Sequence, residues 1–171
     1  MSTVGKGLEG VVVSESQLSF VDGNIGKLYY RGYDVPQLAA RTSFEEVMHL
    51  LWFGALPTVP QLDALKAQLA ANRALPQGVL EILRRMPMDS DPIDVLRTTV
   101  SLLGQYDAEA NDNSPAAVAA RSISLTAKFP TILAAFRRLT QGLEPVDPDP
   151  SLSHAATFLY MFSGQRPDAR T

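Results

Sequence analysis

Apolar and polar positions follow strand-like spacing only near the start of the chain and fall into helical spacing afterwards. Leu18-Ser19-Phe20-Val21 and Lys27-Leu28-Tyr29-Tyr30 are short, β-prone runs on either side of Asp22-Gly23-Asn24-Ile25-Gly26. Gly and Asn tolerate the positive φ angles of tight turns, so this stretch predicts an antiparallel hairpin. Val11-Val12-Val13 adds a further β-branched run, and residues 8–33 form the one β region. Three short strands are marginal alone and need a helix across one face. The residues after Asp34 read as a link to Thr42.

From there the pattern is helix and turn, over residues 43–164. Thr42 or Ser43 caps a first helix to Phe53, with Glu45 and Glu46 in its first turn, Gly54 closing it and Pro57 beyond. Its apolar residues Phe44, Val47, Met48, Leu50, Leu51, Trp52 and Phe53 cover more than one face, which predicts burial on two sides. A second helix from about Thr58 carries Leu62, Leu65 and Leu69 on one stripe. A third opens at Pro76, buries Val79, Leu80, Ile82, Leu83 and Met86, and stops at Pro87, with Arg84-Arg85 opposing its dipole. Asp91-Pro92 starts a fourth, with Ile93, Leu96, Val100 and Leu103 on one stripe and Val95, Thr99, Leu102 and Tyr106 on another. The polar run 107–113 reads as a mobile loop. Ser114-Pro115 starts a fifth helix reaching about Thr140, rich in small residues and kinked after Phe129 by Pro130. Pro145, Pro148 and Pro150 stiffen a connection to a sixth, from about Leu152 to Phe162. The fold class expected is mainly α, with a small antiparallel β-sheet near the N-terminus.

Composition narrows the function classes. A chain of 171 residues is long enough to bury a core as one domain. An apolar content of 46% and a mean hydropathy of +0.01 describe an ordinary globular protein. The net charge of −3 argues against a broad nucleic-acid surface, which needs clustered Lys and Arg. With no cysteine, disulfides, thiolate nucleophiles and Cys-based metal sites all drop out, which suits a reducing cytoplasm. No apolar run approaches the roughly 20 residues that span a bilayer, and the start does not read as a signal peptide. A cytoplasmic location is therefore expected.

Candidate chemistry is sparse. His49 and His154 are the only imidazoles, and neither belongs to a His-x-x-x-His or Glu-x-x-His pair that would chelate a metal. His49, beside Trp52 and Phe53, reads as a packing or surface residue. His154, in the first turn of its helix, reads as a cap or a helix–helix hydrogen bond. Gly5-Lys6-Gly7 is a flexible lead-in rather than a phosphate loop, and Asp147-Pro148-Asp149-Pro150 a rigid linker rather than an acid/base pair. Arg31, within Tyr30-Arg31-Gly32-Tyr33, predicts a structural ion pair or a stack on a ring. Trp52, Phe53, Phe158, Tyr160 and Phe162 read as core. No catalytic, cofactor-binding or metal-binding residue is assigned.

Several segments nevertheless form an ordered set. Gly7-Leu8-Glu9-Gly10-Val11, Asp22-Gly23, Tyr30-Arg31-Gly32-Tyr33, Phe44-Glu45-Glu46-Val47 and Gly54-Ala55-Leu56-Pro57 come first. Pro92-Ile93-Asp94-Val95-Leu96-Arg97-Thr98, Ala127-Lys128-Phe129-Pro130-Thr131-Ile132, Leu152-Ser153-His154-Ala155 and Phe158-Leu159-Tyr160-Met161 follow. In this order and spacing they resemble the amino-terminal region of bacterial citrate synthases, across nearly the whole chain. The resemblance implies a citrate-synthase-like helical domain and, in the full-length protein, an acyltransferase joining acetyl-CoA to oxaloacetate without a metal. The family's catalytic His and Asp and its oxaloacetate-binding His and Arg lie in His-Ala-Asp-His, Gly-Pro-(x)-His-Gly-Gly-Ala-Asn and Gly-His-Arg motifs. None of these occurs here, and in the family all follow the segment matching Leu152–Met161. The expectation is an incomplete, inactive scaffold, with residues 1–171 the amino-terminal part of the large helical domain. Acetyl-CoA is then a co-substrate of the full-length enzyme only. The resemblance also implies a homodimer through the helices about 92–106 and 115–140. A 2-methylcitrate synthase, a non-catalytic interaction protein of the same family and an unrelated helical binding module remain as alternatives.

Overall fold

The structure is a computed structural model that describes residues 14–168. The backbone contacts divide into two units, Met1–Pro57 and Thr58–Thr171.

In the first unit β1 (Ser19–Asp22) and β2 (Lys27–Tyr30) form the expected hairpin, with Phe20 opposite Tyr29 and Val21 opposite Leu28. The turn is held by Asp22, whose Oδ1 accepts from the Asn24 N–H at 3.0 Å. The Val11–Val13 run lies outside the described residues. Among the described residues a third strand, β3 (Tyr33–Asp34), runs antiparallel to β2, giving the order β1-β2-β3. Helix α1 (Val35–Arg41) occupies the stretch read as a link. It was hidden because seven residues bury one side chain, Leu38, and so leave no periodic stripe.

Helix α2 (Phe44–Phe53) begins as its caps dictate. Ser43 Oγ accepts from the Glu46 N–H at 3.3 Å, while the Glu46 carboxylate accepts from the Ser43 N–H at 2.7 Å. Its buried residues are Glu45, Met48, His49 and Leu50. The expectation of burial on two sides fails at both ends, where Phe44 and Phe53 are 53% and 56% exposed. Nine residues apart at 100° each, they lie on opposite sides of the helix, and its buried stripe takes neither.

The second unit contains α3 (Val59–Ala71), α4 (Gln77–Leu83), α5 (Pro92–Leu103), a 3-10 turn (Gly104–Tyr106), α6 (Pro115–Thr140) and α7 (His154–Ser163). Polar side chains fix the starts of three of these helices. Asp91, Ser114 and Ser153 accept from the N–H groups of Ile93, Ala117 and Ala156. Helix α6 is central and packs against α3, α4, α5 and α7. It runs unbroken across Pro130, although that residue removes the hydrogen bond to the Thr126 carbonyl. The main core gathers Val79, Leu83, Val95, Leu103, Ile132, Ala135 and Phe136 from α4, α5 and α6. On α5 the buried stripe is Val95, Thr99 and Leu103, drawn from both expected stripes, while Ile93 is 68% exposed. The Thr99 hydroxyl is satisfied by the Val95 carbonyl at 2.8 Å. Among the described residues no helix is long and apolar enough to cross a membrane.

Candidate functional site

Both imidazoles are buried. His49 is buried on α2, its Nδ1 2.8 Å from the Ala55 carbonyl and its ring 4.7 Å from that of Phe53. It ties the last turn of α2 to the residues that follow. His154 is the buried first residue of α7. Gly5-Lys6-Gly7 lies outside the described residues. Among the described residues no three His, Cys, Asp or Glu gather as a metal site would require.

Among the described residues Arg31 makes neither of the contacts expected of it. Its Nη2 donates to the Leu51 carbonyl at 3.0 Å, in the last turn of α2, and its buried Nε has no partner among the described residues. A cation over the final carbonyls of a helix meets the negative end of the helix dipole. The residue adopts φ of +49°, an unusual conformation for a side-chain-bearing residue, in the two-residue link between β2 and β3.

The acidic linker behaves as a linker. Asp149 Oδ1 accepts from the Ser151 N–H and hydroxyl at 2.8 and 2.6 Å, and its other oxygen pairs with Arg166. The Ser151 hydroxyl leads these contacts in holding the carboxyl below the usual carboxylate range. The aromatic residues expected in the core divide: Trp52, Phe158 and Tyr160 are half-buried, while Phe53 and Phe162 are exposed. Phe162 closes the α7 end with its ring 5.6 Å from Phe158 and the Arg137 guanidinium 5.8 Å away. An exposed ring stacked under a cation does not need the core.

Two side-chain clusters escaped sequence reasoning. Arg73, 3% exposed, directs Nη1 to the carbonyls of Asp149 and Leu152 at 2.9 and 3.0 Å and to the Thr157 hydroxyl at 2.8 Å. Its own carbonyl accepts from the Thr131 hydroxyl at 2.9 Å. One residue after α3 thus joins α6, the proline-rich connection and α7. Nothing near Arg73 in sequence marks these contacts, because the partners named are each at least 58 residues away.

The second cluster borders a cavity of about 450 Å3 beside α5, the 3-10 turn and α6. Its apolar wall is built by Val100, Leu103 and Leu125, and its polar wall by Arg121, Ser124 and Lys128 of α6. At one end Tyr106 packs against Gly78 of α4, where a Cβ would collide with the tyrosine hydroxyl. Arg121 Nε pairs with Asp107 at 2.8 Å, and its Nη2 donates to the carbonyls of Glu109 and Asp112 at 2.6 and 3.1 Å. The segment read as a mobile loop is therefore held to α6 by one guanidinium. That hydrogen bond, followed by the Glu109 N–H, keeps the Asp107 carboxyl below its ordinary range. Seven residues further along α6, half-buried Lys128 donates to Ser124 Oγ at 2.6 Å, and burial lowers its pKa.

Comparison with known proteins supplies what the site geometry alone does not, a family. Residues 7–171 match the family described as "Citrate synthase, C-terminal domain". The citrate synthase of Haloferax volcanii is 48% identical over 170 residues, covering 95% of this chain and 44% of that protein. The 2-methylcitrate synthase of Mycobacterium tuberculosis is 40% identical over 165 residues, covering 96% of this chain and 42% of that protein. Among solved structures, the ternary complex of carboxymethyl coenzyme A and oxaloacetate with citrate synthase from Thermoplasma acidophilum superposes with a TM-score of 0.90 at 25% identity. It covers 99% of this chain and 44% of that one. The chain thus spans less than half the length of these relatives, and it belongs to the citrate synthase family of acyltransferases.

Proposed function

We propose that this chain is the amino-terminal part of the large helical domain of a cytoplasmic citrate synthase. It supplies scaffold and subunit contact, while the groups that move protons lie in the remainder of the polypeptide. The complete enzyme joins acetyl-CoA to oxaloacetate and releases citrate and free CoA. One observation carries this reading: the family match runs over residues 7–171, yet none of the family's His-Ala-Asp-His, Gly-Pro-(x)-His-Gly-Gly-Ala-Asn or Gly-His-Arg motifs occurs in the sequence. The burial of both histidines supports the reading. Enolisation of a thioester needs a positioned base and a donor at the developing oxyanion, and in this reading both roles fall to residues of the remaining polypeptide.

The subunit contact falls on α5 and α6. Ile93, Val118 and Phe129 on these helices are 68%, 45% and 36% exposed, more apolar surface than a single core uses. Sedimentation of the chain is expected to give dimers or larger species, and a monodisperse monomer refutes the contact. A thiol-release assay with oxaloacetate and acetyl-CoA tests the chemistry. No CoA should appear with this chain alone, and release should appear when a separately expressed carboxyl-terminal half is added. Turnover by this chain alone overturns the assignment. The 2-methylcitrate synthase relative supports a second reading, in which the complete enzyme prefers propionyl-CoA. Running both thioesters side by side separates the two.

A further inference from the structure

One local device recurs along the chain, an aspartate whose Oδ1 accepts from the backbone N–H two residues ahead. Asp22, Asp91, Asp107, Asp112 and Asp149 all do so, at 2.8–3.0 Å. The bond folds the carboxyl back over the intervening peptide and brings Cγ towards that peptide's nitrogen. Attack of such a nitrogen on Cγ closes a five-membered succinimide ring. The intervening residue decides whether the ring can form. Asp91 and Asp149 are followed by Pro92 and Pro150, which have no N–H to give up. The second oxygen of Asp107 is held by Arg121 Nε at 2.8 Å and is not free to leave. Asn113, after Asp112, carries a Cβ and a side chain beside the nitrogen that would attack. Gly23, after Asp22, carries neither; it is exposed, and a Cβ placed there would meet nothing within 4 Å. Among the described residues the Gly23 N–H has no acceptor, and Oδ2 of Asp22 has no donor. Of the five aspartates, only Asp22 has an uncrowded nucleophile and a free leaving oxygen together.

We propose that Asp22 is a self-modification site, where the hairpin turn isomerises to isoaspartate and becomes a substrate for a methyltransferase that recognises isoaspartyl carboxylates. The Gly23 nitrogen bonds to Cγ of Asp22, while its proton, Oδ2 and one solvent proton depart as water. A water molecule then opens the ring. Breaking the new Cγ–N bond restores aspartate. Breaking the bond between the main-chain carbonyl carbon of Asp22 and the Gly23 nitrogen instead leaves the chain running through the side-chain methylene. One water is lost and one regained, so the product is an isomer and no oxidant or reductant takes part. Its backbone is one carbon longer between β1 and β2, and its former main-chain carboxyl hangs free as an α-carboxylate. The pairing of Asp22 with Lys27, which closes the hairpin ladder, cannot keep its register across that extra atom. The methyltransferase moves the methyl of S-adenosylmethionine onto an oxygen of the free α-carboxylate, leaving the neutral thioether. The inference concerns residues of this chain only and stands whether or not the proposed enzyme assignment holds.

The test ages the folded chain at neutral pH and physiological temperature, then treats samples with a protein isoaspartyl methyltransferase and tritiated S-adenosylmethionine. Electron-transfer fragmentation of the peptides locates the isoaspartate. Label should accumulate with age, and the peptide holding Asp22 should carry more isoaspartate than the one holding Asp112. G23A should bring the yield at Asp22 down to the Asp112 level. D22E should lose it altogether, because the longer side chain would have to close a six-membered ring. Should either variant fail to fold, the comparison of Asp22 with Asp112 in the unsubstituted chain decides. Amide exchange in Ser19–Asp22 and Lys27–Tyr30 should quicken in the isomerised fraction as the ladder loosens. No isoaspartate at Asp22, an equal or larger yield at Asp112, or isomerisation that appears only when the chain is aged in urea overturns the proposal. So does isoaspartate at Asp22 that the methyltransferase leaves unlabelled.

Discussion

Arg73→Met is the most demanding perturbation of this fold. Arg73 is 3% exposed, and its Nη1 is in charged hydrogen bonds to the Asp149 and Leu152 carbonyls and to the Thr157 hydroxyl. Hydrogen bonds to charged groups contribute about 1.5–3 kcal/mol each, so a naive sum over these three reaches about 4.5–9 kcal/mol. That sum is too large. Methionine fills much of the same volume, and the desolvation cost of the buried guanidinium vanishes with the charge. The Thr157 hydroxyl also keeps its own acceptor, the Asp149 carbonyl at 3.1 Å. What remains is the cost of leaving buried carbonyls without their donor, about 3–5 kcal/mol, comparable to breaking a buried polar network. With an m-value of about 2 kcal/mol per molar urea, the unfolding midpoint should fall by about 1.5–2.5 M with the slope unchanged. R73K should lose about half as much, since an ammonium lacks the planar fork but keeps charge and donors. A double-mutant cycle with Thr157→Val should return a coupling of about 1 kcal/mol or more. A midpoint fall below about 0.5 M for R73M, or a coupling near zero, would refute the claim that Arg73 joins α3, α6 and α7.

Three further outcomes are expected. Ser43→Ala removes the acceptor of the capping box at the start of α2 and should cost about 1 kcal/mol, read as faster amide exchange in residues 44–47. The Asp107 carboxyl is depressed by Arg121, so its folded pKa lies below its unfolded one. The contribution of this pair is therefore complete above about pH 4 and is lost as pH falls through the depressed folded value; Asp107→Asn should remove that acid dependence, followed by exchange in residues 107–113. Gly164 holds φ of +77° at the end of α7, with the Arg138 guanidinium 2.9 Å from where a Cβ would stand. Gly164→Ala should therefore destabilise by about 1–2 kcal/mol in thermal unfolding, and an unchanged Tm would count against that close packing.

The sequence by itself determined the helix starts and the hairpin, because their causes lie within a few residues. The Ser43–Glu46 box, the caps at Asp91, Ser114 and Ser153, and the Asp22–Asn24 turn are all local, and each appears where the residue types place it. The ordered segments marked the family for a similar reason, since they are visible without any contact between them. Helix α1 escaped because a seven-residue element with one buried leucine makes no stripe. The choice among α5's two apolar stripes, the exposure of Phe53 and Phe162, and the Arg73 junction were decided by tertiary packing. So was the cavity beside Lys128, which exists only because α5 and its 3-10 turn are laid along α6. Local backbone hydrogen bonding is written into neighbouring residues. Which long-range partner satisfies a buried cation, and where a groove stays open, depends on how helices far apart in the chain pack together.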